Sequence, residues 1–202
     1  MSLTLYNAPP SSNALKVRIL LAELGIPYET VDVEMGEPRP EWYVQLNPFG
    51  RVPALKDGSA VLAESNTILR YLAAREGRTD LYPLEPLGRA LVDWIMDTWS
   101  MHVRPPAIGV ERPALFGPEP DTAAVEAGLP AYIAALEKVE KLIRGDGHLC
   151  PGGITIADFS AAPTLYRANK IAGIPWERLP KLRACADAIL AHPAFIAAGA
   201  VR

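Results

Sequence analysis

Cysteine is scarce in this sequence: only Cys150 and Cys185 are present, far apart and outside any CxxC motif. A small secreted protein held together by disulfides needs more cysteines than this. The two residues therefore favour reduced thiols in a cytoplasmic protein over a disulfide, and we expect no metal site.

Charge of one sign and long apolar runs are also missing. The formal net charge is −3 and no cluster of lysine and arginine stands out, which disfavours nucleic acid as a main partner. No apolar run approaches the ~20 residues that a membrane-spanning helix needs. The start, MSLTLYNAPP, has no basic segment followed by an apolar one, so we expect neither a secretory signal nor a membrane partner.

Hydrophobic residues, in contrast, make up 50% of the 202 residues, enough for a packed core. Alternating and helical periodicities in the first part of the chain predict the order β-α-β-α-β-β-α, a compact α/β unit. The predicted segments are a strand at 3–6, a helix at 13–24, a strand at 28–33, a short broken helix, strands at 52–55 and 60–62, and a helix at 65–75 with Ser65 as its N-cap.

The second part of the chain is predicted to be helical. It follows a linker at 78–87 that is rich in turn residues, so we divide the chain into domains at 1–77 and 88–202. No strand is predicted beyond the linker. The helices are predicted at 88–103, at 121–143, at 155–168, at 180–191, and after Pro193. Pro105-Pro106 are predicted to end the first of them.

The dipeptide Val52-Pro53 lies at the start of a predicted strand. Proline cannot donate to a strand ladder, so it needs an edge position or a special conformation. One interpretation is an ordinary trans proline at a sheet edge. The other is a cis-proline that opens the third strand, which in the thioredoxin-like fold turns the backbone of the preceding residue toward a bound peptide.

The start of the helix at 65–75 also has two interpretations. Ser65 beside Glu64 is an ordinary N-cap with an acidic neighbour that suits the helix dipole. The same geometry also suits the head of an α-amino acid. The Ser65 hydroxyl and the backbone N–H groups would then bind the carboxylate, while Glu64 would pair with the ammonium group.

Several segments resemble the cytosolic glutathione transferase family, in the family's order and spacing over nearly the whole chain: SSNALKVRILLAELGIPYE, LNPFGRVPALKDG, LAESNTILRYLA, GGITIADFSAAP and LPKLRACADAILAHPAF. The resemblance is to serine-type bacterial members, similar to the zeta, theta and phi classes. It implies an α/β thioredoxin-like domain that binds glutathione and an all-α domain that contributes most of the electrophile pocket. It also implies a homodimer with a role in detoxification.

The same resemblance assigns roles to individual residues. It implies that Val52 pairs its backbone with the cysteinyl part of glutathione and that Pro53 is cis. Glu64 and Ser65 would hold the γ-glutamyl end, and Arg51 would lie near the glutathione backbone.

The stretch PPSSN precedes the first predicted helix and is the candidate catalytic segment. The thiol of glutathione has a pKa near ~8.5, so a hydroxyl that donates to the sulfur at a helix N-terminus would favour the reactive thiolate. Matching KVRI to the serine-type classes aligns Ser11 with the catalytic serine and makes Ser12 its neighbour. Asn13 stands where the family's SSC pattern has cysteine, and its amide is an alternative donor to the sulfur. The absence of cysteine here argues against a mixed disulfide on the enzyme.

We therefore predict a glutathione transferase that activates bound glutathione for attack on small electrophiles. A glutathione-dependent isomerase or disulfide reductase is the enzymatic alternative. A non-catalytic binding module with the same fold is the alternative from another class. A serine hydrolase is disfavoured because no GxSxG motif is present.

Overall fold

The computed structural model describes residues 3–36 and 38–199, which form two compact units. One unit comprises the chain up to Thr79 together with the stretch from His192 onward, and the other comprises Asp80–Ala191. The stretch from His192 onward therefore groups with the first unit and not with the helices that precede it in sequence. The functional division of the chain at a linker spanning 78–87 remains a prediction.

The first unit contains a four-stranded sheet with the predicted order of elements. They are β1 (Leu3–Asn7), α1 (Ser12–Leu24), β2 (Tyr28–Asp32), α2 (Glu41–Leu46), β3 (Ala54–Asp57), β4 (Ala60–Ala63) and α3 (Ser65–Arg75). The strand order across the sheet is β2-β1-β3-β4, with β1 and β2 parallel and the other two pairs antiparallel. This confirms the α/β fold class, although β3 begins at Ala54 and leaves Val52-Pro53 just before it.

Helix α1 shows how local sequence sets the limits of an element. Ser11 is its N-cap, and Gly25 ends it with a φ of 63°, where its N–H donates to the carbonyl groups of Ala22 and Leu21. A left-handed residue of this kind is the usual helix stop, and glycine adopts it without steric cost. Helix α1 buries Leu15, Ile19 and neighbouring apolar residues, and it contacts α3.

The second unit is helical, as predicted. Its elements are α4 (Pro86–Thr98), a π-helical turn (Trp99–Val103), α5 (Arg104–Leu115), α6 (Thr122–Leu142), α7 (Ile156–Ala168), a short 3₁₀ turn and α8 (Pro180–Leu190). The expectation that Pro105-Pro106 would end a helix was wrong. The chain passes through the π-helical turn into α5, and both prolines lie in the first turn of α5, where their missing N–H groups are not needed.

A buried carboxylate of the helical unit is paired with two arginines. The carboxylate of Glu111 accepts hydrogen bonds from Arg104 at 2.7 Å and from Arg167 at 2.9 Å. A capping box starts α7, with Thr155 as the N-cap and Asp158 bonded back to it. Within the described residues, no helix is long and apolar enough to cross a membrane.

The last helix, α9 (Pro193–Ala197), packs against α1 in the first unit. His192 caps it, since the Nδ1 atom of His192 accepts the N–H of Ala194 at 3.3 Å. Its Nε2 atom lies 3.8 Å from a carboxylate oxygen of Glu23 on α1. Phe195 is buried, so α9 contributes to the core of the α/β unit.

Candidate functional site

The three predicted site segments lie at the same end of three neighbouring strands of the sheet. Tyr6 near the end of β1 pairs with Ala54 at the start of β3, and Ala54 pairs with Ala63 at the end of β4. Neighbouring strands lie about 4.8 Å apart, so the segments that extend from these three positions lie close together. Those segments carry PPSSN, Arg51-Val52-Pro53 and Glu64-Ser65.

The first segment leads into α1 and places Ser11 at its N-cap. The Ser11 Oγ atom accepts the N–H of Ala14 at 3.2 Å, which leaves the hydroxyl hydrogen available to donate elsewhere. The first turn of α1 carries no acidic side chain. The positive end of the helix dipole is therefore not neutralised by the protein and favours an anion near Ser11.

The two residues after Ser11 differ in accessibility. Ser12 is buried, whereas Asn13 is partly exposed, as Ser11 is. Within the described part of the chain, the side-chain amide of Asn13 has no hydrogen-bond partner. Ser11 and Asn13 are thus the accessible donors of PPSSN.

The second segment contains the Val52-Pro53 peptide bond, which is cis, as the family resemblance implied. The Val52 side chain packs in a core cluster with Ala8 and Tyr43, so this residue is anchored close to the chain that leads to Ser11. Among the described residues, neither the N–H nor the C=O of Val52 makes a hydrogen bond. Both groups are free to pair with an extended ligand.

Arg51 has an exposed side chain and a hydrogen-bonded backbone carbonyl. Its guanidinium is exposed and makes no ion pair with any residue that the structure describes. Its carbonyl oxygen accepts two hydrogen bonds, from the Tyr43 hydroxyl and from the Asn47 side-chain amide, each at 2.7 Å. Burial raises the pKa of Tyr43, so the hydroxyl stays protonated and can donate.

Tyr43 and Asn47 were missed by the sequence reasoning. They are four residues apart, a spacing that places two side chains on the same face of a helix. That spacing within YVQLN was the available signal. It did not indicate that both side chains would reach one carbonyl group beyond the following turn.

The third segment corrects a detail of the prediction. Ser65 is the first residue of α3, and Glu64, not Ser65, holds the N-cap position. Glu64 has a φ of 65° and a ψ of 111°, and no other non-glycine residue in the described ranges has a positive φ. Its exposed side chain makes no capping bond to the helix. Strained backbone of this kind clusters at ligand sites.

Ser65 is also placed for binding. Its side chain is mostly buried, with 8% of the residue exposed, and its hydroxyl has no partner within the described residues. The N-cap residue Glu64 makes no side-chain hydrogen bond to the start of α3, so the backbone N–H of Ser65 is left as a further hydrogen-bond donor. Across residues 3–36 and 38–199, no group of three ligand-type side chains could hold a metal ion.

Comparison with known proteins identifies the family. Residues 1–74 match the family model for the N-terminal domain of glutathione S-transferase, and residues 122–184 match that for its C-terminal domain. Glutathione S-transferase 3 of Zea mays is 35% identical over 205 residues, covering 96% of this chain and 91% of the maize protein. The chain belongs to the glutathione S-transferase family.

Two further relatives bear on the chemistry. Maleylacetoacetate isomerase of Pseudomonas aeruginosa is 33% identical, covering 95% of this chain and 92% of that protein. A theta class glutathione S-transferase from Xanthomonas axonopodis pv. citri, solved with glutathione bound, superimposes with a TM-score of 0.85 at 30% identity. That likeness covers 99% of this chain and 97% of that one. The predicted family and fold class are confirmed, whereas the roles of the site residues stay predictions.

Proposed function

We propose that this glutathione transferase binds glutathione at the end of the sheet formed by the end of β1, the start of β3 and the end of β4. It stabilises the thiolate of glutathione at the start of α1. The observation that carries the proposal is the convergence there of three segments with unused hydrogen-bonding groups. These groups are the Ser11 hydroxyl hydrogen, the backbone of Val52 and the hydroxyl of Ser65.

The cysteinyl residue of glutathione pairs with Val52 in this arrangement. The free N–H and C=O of Val52 form two backbone hydrogen bonds to it, in the manner of an added strand. Pro53 offers no N–H and so does not compete for the ligand. The exposed guanidinium of Arg51 adds a positive charge near the glutathione backbone.

The γ-glutamyl end binds at the start of α3. Its ammonium group pairs with the exposed carboxylate of Glu64. Its carboxylate accepts hydrogen bonds from the Ser65 hydroxyl and from the backbone N–H of Ser65 at the first helical turn. The ammonium group then has a partner of opposite charge, and the carboxylate has hydrogen-bond donors at the positive end of the helix dipole.

The reaction begins when the bound thiol releases its proton to solvent. The hydrogen bond from Ser11 or Asn13 and the dipole of α1 stabilise the thiolate that remains. The sulfur lone pair then forms a bond to an electrophilic carbon. In a chloro-nitroaromatic compound, the carbon–chlorine bond breaks and chloride leaves with its electron pair. We propose that the helical unit contributes most of the surface that binds the electrophile.

Single substitutions separate Ser11 from Asn13. We expect Ser11→Ala to raise the pKa of the bound thiol and lower kcat/KM at neutral pH by about 10- to 100-fold, the value of a hydrogen bond to a charged group. The pH dependence of kcat/KM with a chloro-nitroaromatic substrate measures both. A shift only in Asn13→Ala would assign the role to Asn13. If neither variant changed the profile, the assignment to PPSSN would be wrong.

An isomerase is the second candidate, favoured by the relative from Pseudomonas aeruginosa. A thiolate that adds to a conjugated cis double bond allows rotation about it, and the sulfur then leaves with the bond in the trans form. Glutathione is not consumed in that cycle. Assaying conjugation and cis–trans isomerisation side by side distinguishes the two, and a disulfide substrate in the same panel tests the reductase alternative.

We propose further that the protein is a homodimer in the cytoplasm that detoxifies small electrophiles. Phe49, in the turn after α2, is 83% exposed, and a dimer interface would cover this large apolar side chain. Both cysteines are free thiols, as in a reducing compartment. We expect Phe49→Ser to shift the protein toward the monomer in light scattering. A wild-type protein that is monomeric at micromolar concentration would contradict the dimer.

A further inference from the structure

The peptide unit between Arg51 and Val52, beside the proposed glutathione site, is held by two side-chain hydrogen bonds. The carbonyl oxygen of Arg51 accepts the Tyr43 hydroxyl and the Asn47 Nδ2 atom, each at 2.7 Å. Tyr43 is fully buried and Asn47 is only 4% exposed. A carbonyl oxygen has two lone pairs, so these two donors use its capacity fully.

The geometry of the peptide bond transmits this restraint to Val52. The carbonyl of Arg51 and the N–H of Val52 belong to one planar unit, and in a trans peptide they point in opposite directions. The bond between Arg51 and Val52 is trans, because the cis bond in this segment is the next one. Fixing the direction of the Arg51 carbonyl therefore fixes the direction of the Val52 N–H, which points away from Tyr43 and Asn47.

The turn between α2 and Val52 is restrained at other points. The Asn47 Oδ1 atom accepts the N–H of Phe49 at 3.3 Å, and the Asn47 carbonyl accepts the N–H of Gly50 at 2.8 Å. The Arg39 Nε atom donates to the carbonyl of Gly50 at 3.0 Å. These bonds hold the turn in place but leave the plane of the next peptide unit to Tyr43 and Asn47.

We propose that Tyr43 and Asn47 are positioning residues for glutathione, because they aim the Val52 N–H at the cysteinyl carbonyl of the ligand. The proposal rests on the assignment of Val52 to the glutathione site. Without the two donors, the Arg51–Val52 peptide rotates more freely, and binding must then restrict it at a cost in affinity. The thiolate is stabilised elsewhere, at the start of α1, so its pKa is not affected.

Tyr43→Phe is the sharpest test. It removes one donor and keeps the buried ring, which contacts the rings of Tyr6 and Trp42. We expect the Kd for glutathione, measured by calorimetry, to rise about fivefold, the value of one hydrogen bond. Asn47→Ala should raise it by a similar or larger factor. In both variants the pKa of the bound thiol, taken from the pH dependence of kcat/KM, should equal that of the wild type.

Tyr71→Phe is the matched control. Tyr71 lies on α3 in the same unit and donates its hydroxyl to Asp57 at 2.6 Å. Removing that hydroxyl tests the general cost of losing a tyrosine hydrogen bond, and the Kd should stay within twofold of the wild type. A purely structural role of Tyr43 would lower Tm in both tyrosine variants and leave both Kd values unchanged, which would overturn the proposal.

Glu64→Ala separates this inference from the proposed site. If Glu64→Ala weakens glutathione binding and Tyr43→Phe does not, the site stands and the positioning role is wrong. If Glu64→Ala binds glutathione as tightly as the wild type, the site assignment fails and the positioning role fails with it. Weaker binding in Glu64→Ala, Tyr43→Phe and Asn47→Ala, with an unchanged thiol pKa in the last two, is the result that we expect.

Discussion

Helices α3 and α7 begin with similar residues and use them in opposite ways. Each start combines a hydroxyl side chain with a nearby carboxylate. At α7, Asp158 accepts the N–H of Leu149 at 2.9 Å and that of Thr155 at 2.8 Å. Both carboxylate oxygens are therefore hydrogen-bonded within the protein. At α3, the Glu64 side chain makes no capping bond, and the Ser65 hydroxyl has no hydrogen-bond partner among the described residues.

The difference separates a stabilising helix start from a binding one. A buried carboxylate that receives several hydrogen bonds contributes to stability, and removing it leaves its partners unsatisfied. An exposed carboxylate on strained backbone contributes little to stability and is available to a ligand. The two helix starts share the same types of residue. Burial of the carboxylate decides whether it stabilises the helix or is available to a ligand.

The largest effect is expected from Asp158→Ala, which would break the α7 side of the comparison. The substitution leaves the N–H groups of Leu149 and Thr155 buried without partners, so the free energy of unfolding should fall by about 3 kcal/mol. Chemical denaturation measures this. Asp187→Ala, at an exposed ion pair with Arg183 on α8, should cost less than about 1 kcal/mol. Equal losses in the two variants would refute the role of the capping box.

A smaller effect of opposite kind is expected from Glu64→Gly on the α3 side. Loss of the carboxylate should weaken glutathione binding by about 2 kcal/mol, or roughly 30-fold. The free energy of unfolding should rise by about 1 kcal/mol, because glycine adopts a positive φ without strain. Calorimetry and denaturation test the two parts.

Glu64→Ala sharpens the same comparison. Alanine removes the carboxylate but keeps the strained backbone, so we expect the same loss of affinity without the gain in stability. A loss of stability in Glu64→Gly would show that the Glu64 side chain supports the fold, as Asp158 does.

The smallest effect concerns the two thiols of the helical unit. Burial raises the pKa of Cys150 and of Cys185 to about 12. A native protein at pH 8 should therefore react negligibly with a thiol reagent, and denaturation should release two thiols per chain. Because both values lie above the unfolded value of about 8.5, stability from the neutral thiols is full below that pH and is lost as the pH rises toward 12. Rapid native labelling would show that the thiols are accessible.

Much of the fold was predictable because it follows from local patterns. The order of strands and helices comes from apolar periodicity, and α1 ends at Leu24, as predicted. Pro105-Pro106 were misinterpreted because proline disfavours a helix interior but suits a first turn. The π-helical turn that starts a new helix there has no signal in the sequence.

The site was predictable in its residue types and less so in its geometry. Ser65 has the higher N-cap propensity, but the positive φ of Glu64 places the cap one residue earlier, and that angle is set by the chain on both sides. The role of Tyr43 and Asn47 depends on where the next turn brings the carbonyl of Arg51. Such contacts arise from the three-dimensional path of the chain, which residue spacing alone does not determine.

The position of α9 has a consequence for how the protein is made. The α/β unit uses the stretch from His192 onward, and Phe195 of α9 is buried in it. Synthesis on the ribosome runs from the N-terminus, and domains commonly fold as they emerge. This unit must wait until α9 has been synthesised, so the helical unit, although it is translated later than the sheet, has its full set of residues first.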